Sequence, residues 1–111
     1  MAEPTGPYAY LWRFRVNPRH REAFERHYAP GGSWSGLFSQ SPGYLGTILI
    51  KDRAEPLSYI TIDRWQDEAH YRAFRAQFER EYAELDAQCE HLTESESLLG
   101  EFTELAEQSA S

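Results

Sequence analysis

Cysteine is nearly absent from this chain, and its scarcity narrows the chemistry that the chain can carry. Cys89 is the single cysteine among 111 residues, so no internal disulfide forms and a metal site would have no second thiolate. No apolar run approaches the roughly 20 residues of a membrane span. Residues 1–7 also lack the basic and apolar regions of a secretory signal. We therefore expect a cytoplasmic protein with no membrane partner.

Motifs that hold phosphates, metals or catalytic nucleophiles are absent as well. Gly31 and Gly32 are followed by SWSG, and not by the lysine or the spacing of a phosphate-binding loop. The sequence contains no GxSxG, HExxH or CxxC motif. His20 and His27 lie seven residues apart, and the two helical turns between them are too long for one ion. The sequence therefore predicts no metal and no cofactor.

Basic residues are missing from one third of the chain. The net charge is −7, and residues 81–111 contain nine acidic side chains and no lysine or arginine. An acidic surface repels phosphate backbones, so nucleic acid is not an expected partner. We interpret the acidic third as a solvated face that aids solubility.

The clearest pattern in the sequence is a predicted strand that runs directly into a predicted helix. Residues 58–65 alternate, with Ile60 and Ile62 on one face and four larger or polar side chains on the other: Tyr59, Thr61, Asp63 and Trp65. Asp67 suits a helix N-cap, and the apolar residues that follow it have helical spacing: Tyr71, Phe74 and Phe78.

The N-terminal part predicts a strand, a helix and a break. Residues 8–16 alternate as a strand, and Asn17 before Pro18 starts a helix that runs to about Tyr28. Proline and two glycines then end that helix. We expect Ser33 to cap a short helical turn that carries Trp34 and Phe38, which either wall a pocket or plug the core.

The remaining chain predicts two more strands around a helix. Residues 44–51 form a strand that is apolar on both faces and so covered on both, and it pairs antiparallel with residues 58–65 through a short connection. The helix from Asp67 continues or re-forms through Tyr82 and Cys89. A last strand lies within residues 94–105, near Gly100.

The predicted order is β-α-β-β-α-β, an α+β arrangement of the ferredoxin-like type with a four-stranded antiparallel sheet and helices on one face. We expect a disordered lead-in over residues 1–7, one domain over 8–105 and a polar tail over 106–111. The uncovered sheet face carries either Leu45, Thr47 and Leu49 or their neighbours. An apolar face of that size predicts a second copy of the chain as partner.

Three stretches together resemble a known family: the strand YITIDRW, the helix start DEAHYRAF and the late strand LLGEF. They are similar to the antibiotic biosynthesis monooxygenase family of the dimeric α+β barrel superfamily, over nearly the whole of residues 8–105. The resemblance implies a homodimer through the sheet faces and a pocket between sheet and helices. Members include cofactor-independent oxygenases, in which a deprotonated phenolic or quinol-type substrate supplies the electron to dioxygen, and haem-degrading enzymes.

Residue by residue, the resemblance is partial. The strand-end tryptophan of the oxygenases falls on Trp65 and a helix tyrosine on Tyr71, which implies catalytic roles for both. Their asparagine four residues before the tryptophan is Thr61 here, and an arginine falls near Leu85. The haem-degrading branch has a histidine where this chain has Arg75, so no axial ligand for haem iron is expected.

The pocket wall is expected to include six further residues: Trp34, Phe38, Thr61, Asp63, Phe74 and His27. Each also has a structural interpretation. For Asp63 we favour an ion pair with Arg13 or Arg15 over a catalytic base, and for His27 a satisfied, partly buried side chain. Phe74, like Trp65 and Tyr71, is equally typical of a core position.

The function predicted from the sequence is that of a cofactor-independent monooxygenase acting on a small aromatic or polyketide- or quinol-type metabolite. Two alternatives stay open, because a fold alone does not determine a function. One is a non-catalytic domain that binds a small ligand or assists another protein. The other is a non-redox isomerase or cyclase that uses His27 or Asp63.

Overall fold

The helices and strands follow the predicted order closely. A computed structural model describes residues 6–105, so the predictions for residues 1–5 and 106–111 lie outside the described part. The elements are β1 (Tyr8–Val16), α1 (Arg21–Tyr28), α2 (Ser33–Phe38), β2 (Tyr44–Lys51), β3 (Ser58–Trp65), α3 (Glu68–Gln77), α4 (Glu79–Cys89) and β4 (Thr93–Thr103), with short 3-10 turns at Pro18–His20 and Glu90–Leu92.

The four strands form one antiparallel sheet in the order β2-β3-β1-β4. The two central strands, β1 and β3, pair along their whole length, from Tyr8 opposite Trp65 to Arg15 opposite Ser58. This order is that of the ferredoxin-like α+β fold, so the predicted fold class is confirmed.

Local side-chain chemistry explains where the helices begin. Asn17 accepts a hydrogen bond from the backbone N–H of Arg19, and Asp67 accepts one from that of His70 at 2.8 Å. The prediction that Ser33 caps α2 is wrong. Gly32 is the N-cap, and Ser33 is the first helical residue, with its hydroxyl 2.7 Å from Nδ1 of His27.

The helix predicted from Asp67 does not continue unbroken. It ends at Phe78, whose backbone is not helical (φ −111°, ψ 30°), and a second helix, α4, begins directly after it. The half-buried Phe78 ring stacks on Phe74, with ring centroids 5.4 Å apart.

The two faces of the sheet differ sharply in burial. The face toward the helices carries Tyr10 and Phe14 of β1 and Tyr59 and Trp65 of β3, all buried. The opposite face carries a row of aliphatic residues from three neighbouring strands: Leu11, Ile62 and Ile48.

A bulge in β2 decides which of its residues face which way. Tyr44 pairs with Trp65 and Gly46 with Arg64, so Leu45 is an extra residue and the alternation shifts by one. Ile48 and Ile50 therefore lie on the uncovered face, 46% and 45% exposed, whereas Thr47 points toward the helices. The prediction that β2 is covered on both faces is wrong for the isolated chain, since nothing in residues 6–105 covers the outer one.

Candidate functional site

A small aromatic cavity lies between the inner face of the sheet and the helices α1, α2 and α4. Its volume is about 60 Å³. The strands contribute seven lining residues and the helices five: Tyr10, Trp12, Phe14, Thr47, Thr61, Asp63 and Glu96, and Tyr28, Trp34, Phe38, Tyr82 and Asp86. Seven of these twelve are aromatic, so the walls are mostly ring faces and edges.

The lining is graded from a buried floor to an exposed rim. Thr61 and Asp63 are 3% and 6% exposed and lie on neighbouring inward positions of β3. Trp12, Thr47 and Tyr82 are half-buried, and Asp86 of α4 and Glu96 of β4 are exposed. The cavity therefore opens between the C-terminal part of α4 and β4, with Asp63 at depth.

Asp63 ends a chain of hydroxyl groups. Thr47 donates a hydrogen bond of 2.6 Å to Oδ1 of Asp63. The Thr47 hydroxyl also contacts that of Tyr44, which in turn lies 3.1 Å from Oγ of Ser35 in α2. The β2 bulge makes this chain possible, because without it Tyr44 and Thr47, three residues apart, would point to opposite faces.

Burial governs the protonation of Asp63. Removal from water raises its pKa to about 6, against the opposing effect of the Thr47 hydrogen bond. No second hydrogen bond to this carboxyl is present within residues 6–105. Asp63 therefore carries a titratable proton near neutrality and has a free oxygen in a cavity-lining side chain.

The predicted ion pair between Asp63 and Arg13 or Arg15 is wrong. Both arginines are exposed and alternate with the inward residues of β1, so they lie on the other face of the sheet. Arg15 instead approaches Glu94 of β4, with Nε 3.3 Å from the carboxylate. Asp63 thus has no cationic partner among the described residues.

Two tyrosines beside Asp63 keep their protons. Burial raises the pKa of Tyr10 well above its usual value, and the Asp63 charge adds to that effect. Burial likewise raises the pKa of Tyr82, followed by the effect of Tyr71. Both phenols are therefore hydrogen-bond donors over the physiological pH range.

Trp65 lies behind the cavity wall and not in it. The side chain is 0% exposed, and Phe38, which does line the cavity, packs on it with ring centroids 5.6 Å apart. Tyr44, Tyr71 and Phe74 surround it at 5.2–5.3 Å. Its indole N–H has no hydrogen-bond partner among the described residues. The catalytic role assigned to Trp65 stays a prediction.

Three further predicted residues also lie outside the cavity lining. Phe74 is buried against Trp65. Tyr71 packs between Tyr10 and Trp65 with its ring tilted against both, and its hydroxyl accepts a hydrogen bond of 3.0 Å from Arg75. His27 points to the start of α2, where it meets Ser33. Of the eight predicted residues, the cavity brings together four: Trp34, Phe38, Thr61 and Asp63.

Five of the eight lining residues that the sequence did not assign to the pocket belong to two kinds of pattern. Tyr10, Trp12 and Phe14 share the inward face of the first predicted strand, so their alternation was a usable signal. Asp86 and Glu96 belong to the acidic third, where nothing distinguished them from solvated neighbours. That third is also more than a solvated face, since Glu104 forms two hydrogen bonds with Arg64, at 2.6 and 2.9 Å.

Comparison with known proteins identifies the family. Residues 7–88, well over half of the chain, match the sequence model of the family described as antibiotic biosynthesis monooxygenase. The chain belongs to this family. A search of curated proteins finds no match.

Solved structures share the fold at low sequence identity. SnoaB from Streptomyces nogalater, described as a cofactor-independent oxygenase, is 24% identical with a TM-score of 0.68, over 96% of this chain and 98% of that one. PA3566 from Pseudomonas aeruginosa is 19% identical with a TM-score of 0.66, over 95% and 100%. MupZ from Pseudomonas fluorescens is 18% identical with a TM-score of 0.63, over 87% and 69%.

Within residues 6–105, no three His, Cys, Asp or Glu side chains are grouped so that they could hold a metal ion. None of the helices in the same range is long and apolar enough to cross a membrane.

Proposed function

We propose that this member of the monooxygenase family oxidises a small phenolic, quinol-type or polyketide-like metabolite with dioxygen, without a metal or an organic cofactor. The observation that supports it is Asp63, a buried carboxyl with a pKa of about 6 at the floor of an aromatic cavity. A base near neutrality is what such chemistry requires of the protein, because the deprotonated substrate itself is the reductant.

The proposed reaction balances with dioxygen as the only oxidant. Asp63 accepts a proton from an activated carbon or from a phenol of the substrate, and the resulting anion transfers one electron to dioxygen. Superoxide and the substrate radical combine at carbon, and the proton returns from Asp63 to the peroxide. Loss of water then leaves a new carbonyl, so one oxygen atom enters the product and the other leaves as water.

The size of the proton-transfer barrier shows what the cavity must supply. A phenol has an ordinary pKa of about 10, so transfer to a base of pKa 6 is uphill by roughly 5 kcal/mol. Tyr10 and Tyr82 remain protonated and line the cavity. Hydrogen bonds from these phenols and from Thr61 to the substrate oxygen stabilise the anion and reduce that difference.

In this proposal, Trp65 and Tyr71 act from behind the residues that line the cavity. Trp65 supports Phe38, and Tyr71 packs on Tyr10 with ring centroids 4.7 Å apart. They are positioning residues, because they hold the aromatic walls and do not reach the cavity. We also propose that the protein works as a cytoplasmic homodimer joined through the uncovered sheet faces, as the apolar row of Leu11, Ile62 and Ile48 favours.

The size of the cavity keeps two other candidate functions open. The cavity of about 60 Å³ is small beside the roughly 150 Å³ that accepts a benzene ring in a protein core. A ligand ring must therefore displace cavity side chains or project through the rim. A non-catalytic domain for small ligands, or an isomerase or cyclase in which Asp63 moves a proton without dioxygen, uses the same carboxyl.

Oxygen uptake separates these functions. The protein is assayed with a panel of hydroquinones and anthrones, beside Asp63→Asn, Trp65→Phe, Tyr71→Phe and, as a control, Glu84→Gln on the exposed surface of α4. We expect uptake to fall about 10²- to 10⁴-fold in Asp63→Asn, as for loss of a general base. We expect smaller losses at Trp65 and Tyr71 and no change at Glu84.

Two results of the oxygen-uptake assay would count against this proposal. Uptake that does not exceed the uncatalysed background for any substrate argues for the non-catalytic or non-redox candidates. Uptake that Asp63→Asn leaves unchanged removes Asp63 from the mechanism.

A further inference from the structure

The charged groups that line the cavity all have the same sign. They are Asp63 at the floor and Asp86 and Glu96 at the rim, and no lysine, arginine or histidine is among the twelve lining residues. The two rim acids come from different elements, α4 and β4, and face one opening. A ligand that enters this cavity therefore passes between two carboxylates and ends beside a third.

Aromatic rings surround the same space from several directions. Trp34 meets Tyr82 at a centroid distance of 4.9 Å and an angle of 65°, and Tyr28 at 6.1 Å and 42°. Trp12 and Phe14 line the sheet side. Rings that are tilted against one another present both faces and edges to a ligand, and a ring face attracts a cation through its quadrupole.

Within residues 6–105, neither rim acid forms an ion pair. Burial raises the pKa of Glu96, and repulsion from Asp86 adds to the effect, so the two carboxylates destabilise each other. Arg75 contacts one residue of the cavity wall, Tyr82. It lies 3.9 Å from the centroid of the Tyr82 ring and donates to Tyr71, but it does not line the cavity.

We propose that the ligand of this cavity is a phenol that also carries a protonated amine, with the ammonium group at the rim between Asp86 and Glu96 and the phenol directed to Asp63. This inference rests on the proposed function, since it names the substrate class of the same site. It also removes a difficulty of that function. A substrate anion formed beside two carboxylates is destabilised by them, and an ammonium group on the same molecule offsets that repulsion.

The acidic rim also disfavours one class of substrate. A phenol with a carboxylate side chain places a negative charge at the rim, where no described cation lines the cavity. We therefore expect affinity to follow ligand charge in the order cation, neutral molecule, anion.

Three phenols of similar length test this order: tyramine (cationic), 4-propylphenol (neutral) and 3-(4-hydroxyphenyl)propionate (anionic). Binding is measured by titration calorimetry at pH 7.5 under nitrogen, so that no turnover occurs. We expect tyramine to bind about tenfold tighter than 4-propylphenol, a sum of one cation–π contact and partly screened ion pairs. The propionate is expected to bind more weakly than the neutral phenol.

Variants locate the source of the preference. In Asp86→Asn/Glu96→Gln, we expect the tenfold preference for tyramine to fall to about twofold or less, with 4-propylphenol binding unchanged. Glu84→Gln removes an exposed acid from the same helix without touching the cavity lining and keeps the preference. Circular dichroism of each variant confirms that the fold is intact.

Several results overturn the inference. They are equal affinities for tyramine and 4-propylphenol, a preference that survives in the double variant, and no binding of tyramine at millimolar concentration. The oxygen-uptake assay is independent of these measurements. Charge-selective binding without oxygen uptake contradicts the oxygenase proposal and supports the ligand class. Oxygen uptake without charge-selective binding supports the oxygenase proposal and contradicts the ligand class.

Discussion

Asp63 concentrates the chemistry of this protein in one side chain, and its placement costs stability. The carboxyl is 6% exposed and, among the residues that the structure describes, has one hydrogen bond, from Thr47. A buried carboxylate without a cationic partner is unfavourable, which is why its pKa rises from 3.8 to about 6. Such a cost is typical of functional positions.

The raised pKa has a defined effect on stability. Between about pH 4 and pH 6 the unfolded chain ionises Asp63 while the folded chain keeps the proton, so the free energy of unfolding falls as pH rises. The total loss is on the order of 3 kcal/mol, and it is complete above the folded pKa. Asp63→Asn removes this contribution because the amide does not ionise.

We therefore predict that Asp63→Asn is more stable than the parent protein at pH 7, by about 2 to 3 kcal/mol. Urea unfolding at pH 4, 5, 6 and 7 measures it, and the difference between the two proteins should grow with pH over that range. Glu84→Gln should show no such growth. A constant difference from pH 4 to pH 7 would contradict the raised pKa.

The strand pattern predicted which face a side chain lies on, but not how deep it lies in the core. The alternation of β3 placed Thr61 and Asp63 on the inward face correctly, because strand geometry is local. It placed Trp65 there too, but it could not show that Phe38 of α2 would lie between Trp65 and the cavity. The depth of a side chain within a core depends on which element packs over it.

At the scale of elements, the junction between β3 and α3 depends on a close approach of the loop before β2. The backbone N–H of Gln66 donates to the carbonyl of Gly43 at 2.7 Å. A Cβ at Gly43 would lie 2.3 Å from Cβ and 2.4 Å from Cγ of His70. The loop therefore has room for glycine only, and it holds the first turn of α3 in place.

Two glycine substitutions should have opposite effects. Gly43→Ala forces the loop away from α3 and is expected to destabilise the protein by about 1 to 3 kcal/mol. Gly36→Ala, within α2, meets no atom within 4 Å, and the better helix propensity should stabilise the protein by about 0.5 to 1 kcal/mol. Thermal unfolding of both variants tests the pair, and equal melting temperatures would show that the close approach is absent.

The elements themselves were largely predictable. β1 and β3 show period-two patterns and β2 a continuous apolar run, each bounded by Asn, Pro, Gly or Asp residues, and their predicted limits agree with the structure. The bulge at Leu45 was not predicted, although an isolated glycine within a strand pattern, such as Gly46, is a signal for one. That single extra residue turned Thr47 toward Asp63 and Ile48 outward.

At the scale of the molecule, no element within residues 6–105 covers the outer face of the sheet. Ile48 and Ile50 of β2 and Phe102 of β4 are 45–49% exposed there, beside half-buried Leu11 and Ile62. A contiguous apolar surface on a sheet favours association with an identical face.

We predict that the protein sediments as a dimer at micromolar concentration. Ile48→Lys places a charge at the β2 end of the apolar row and should shift the protein to monomer, since an unpaired buried charge is costly. Ala83→Lys adds the same charge on the exposed surface of α4 and should leave the dimer intact. Sedimentation velocity distinguishes these cases, and a monomeric parent protein would refute the predicted interface.

The sequence by itself determined the element order, the inward positions of β1 and β3 and the absence of familiar cofactor motifs, because each depends on residues close together in the chain. Only the tertiary structure decided that Asp63 has no arginine partner in the described part of the chain and that Asp86 and Glu96 share one opening with it. Those relations join β3, α4 and β4, which the chain order separates and the sheet brings together. The chemistry of the cavity is therefore a property of packing, whereas its framework follows from local patterns.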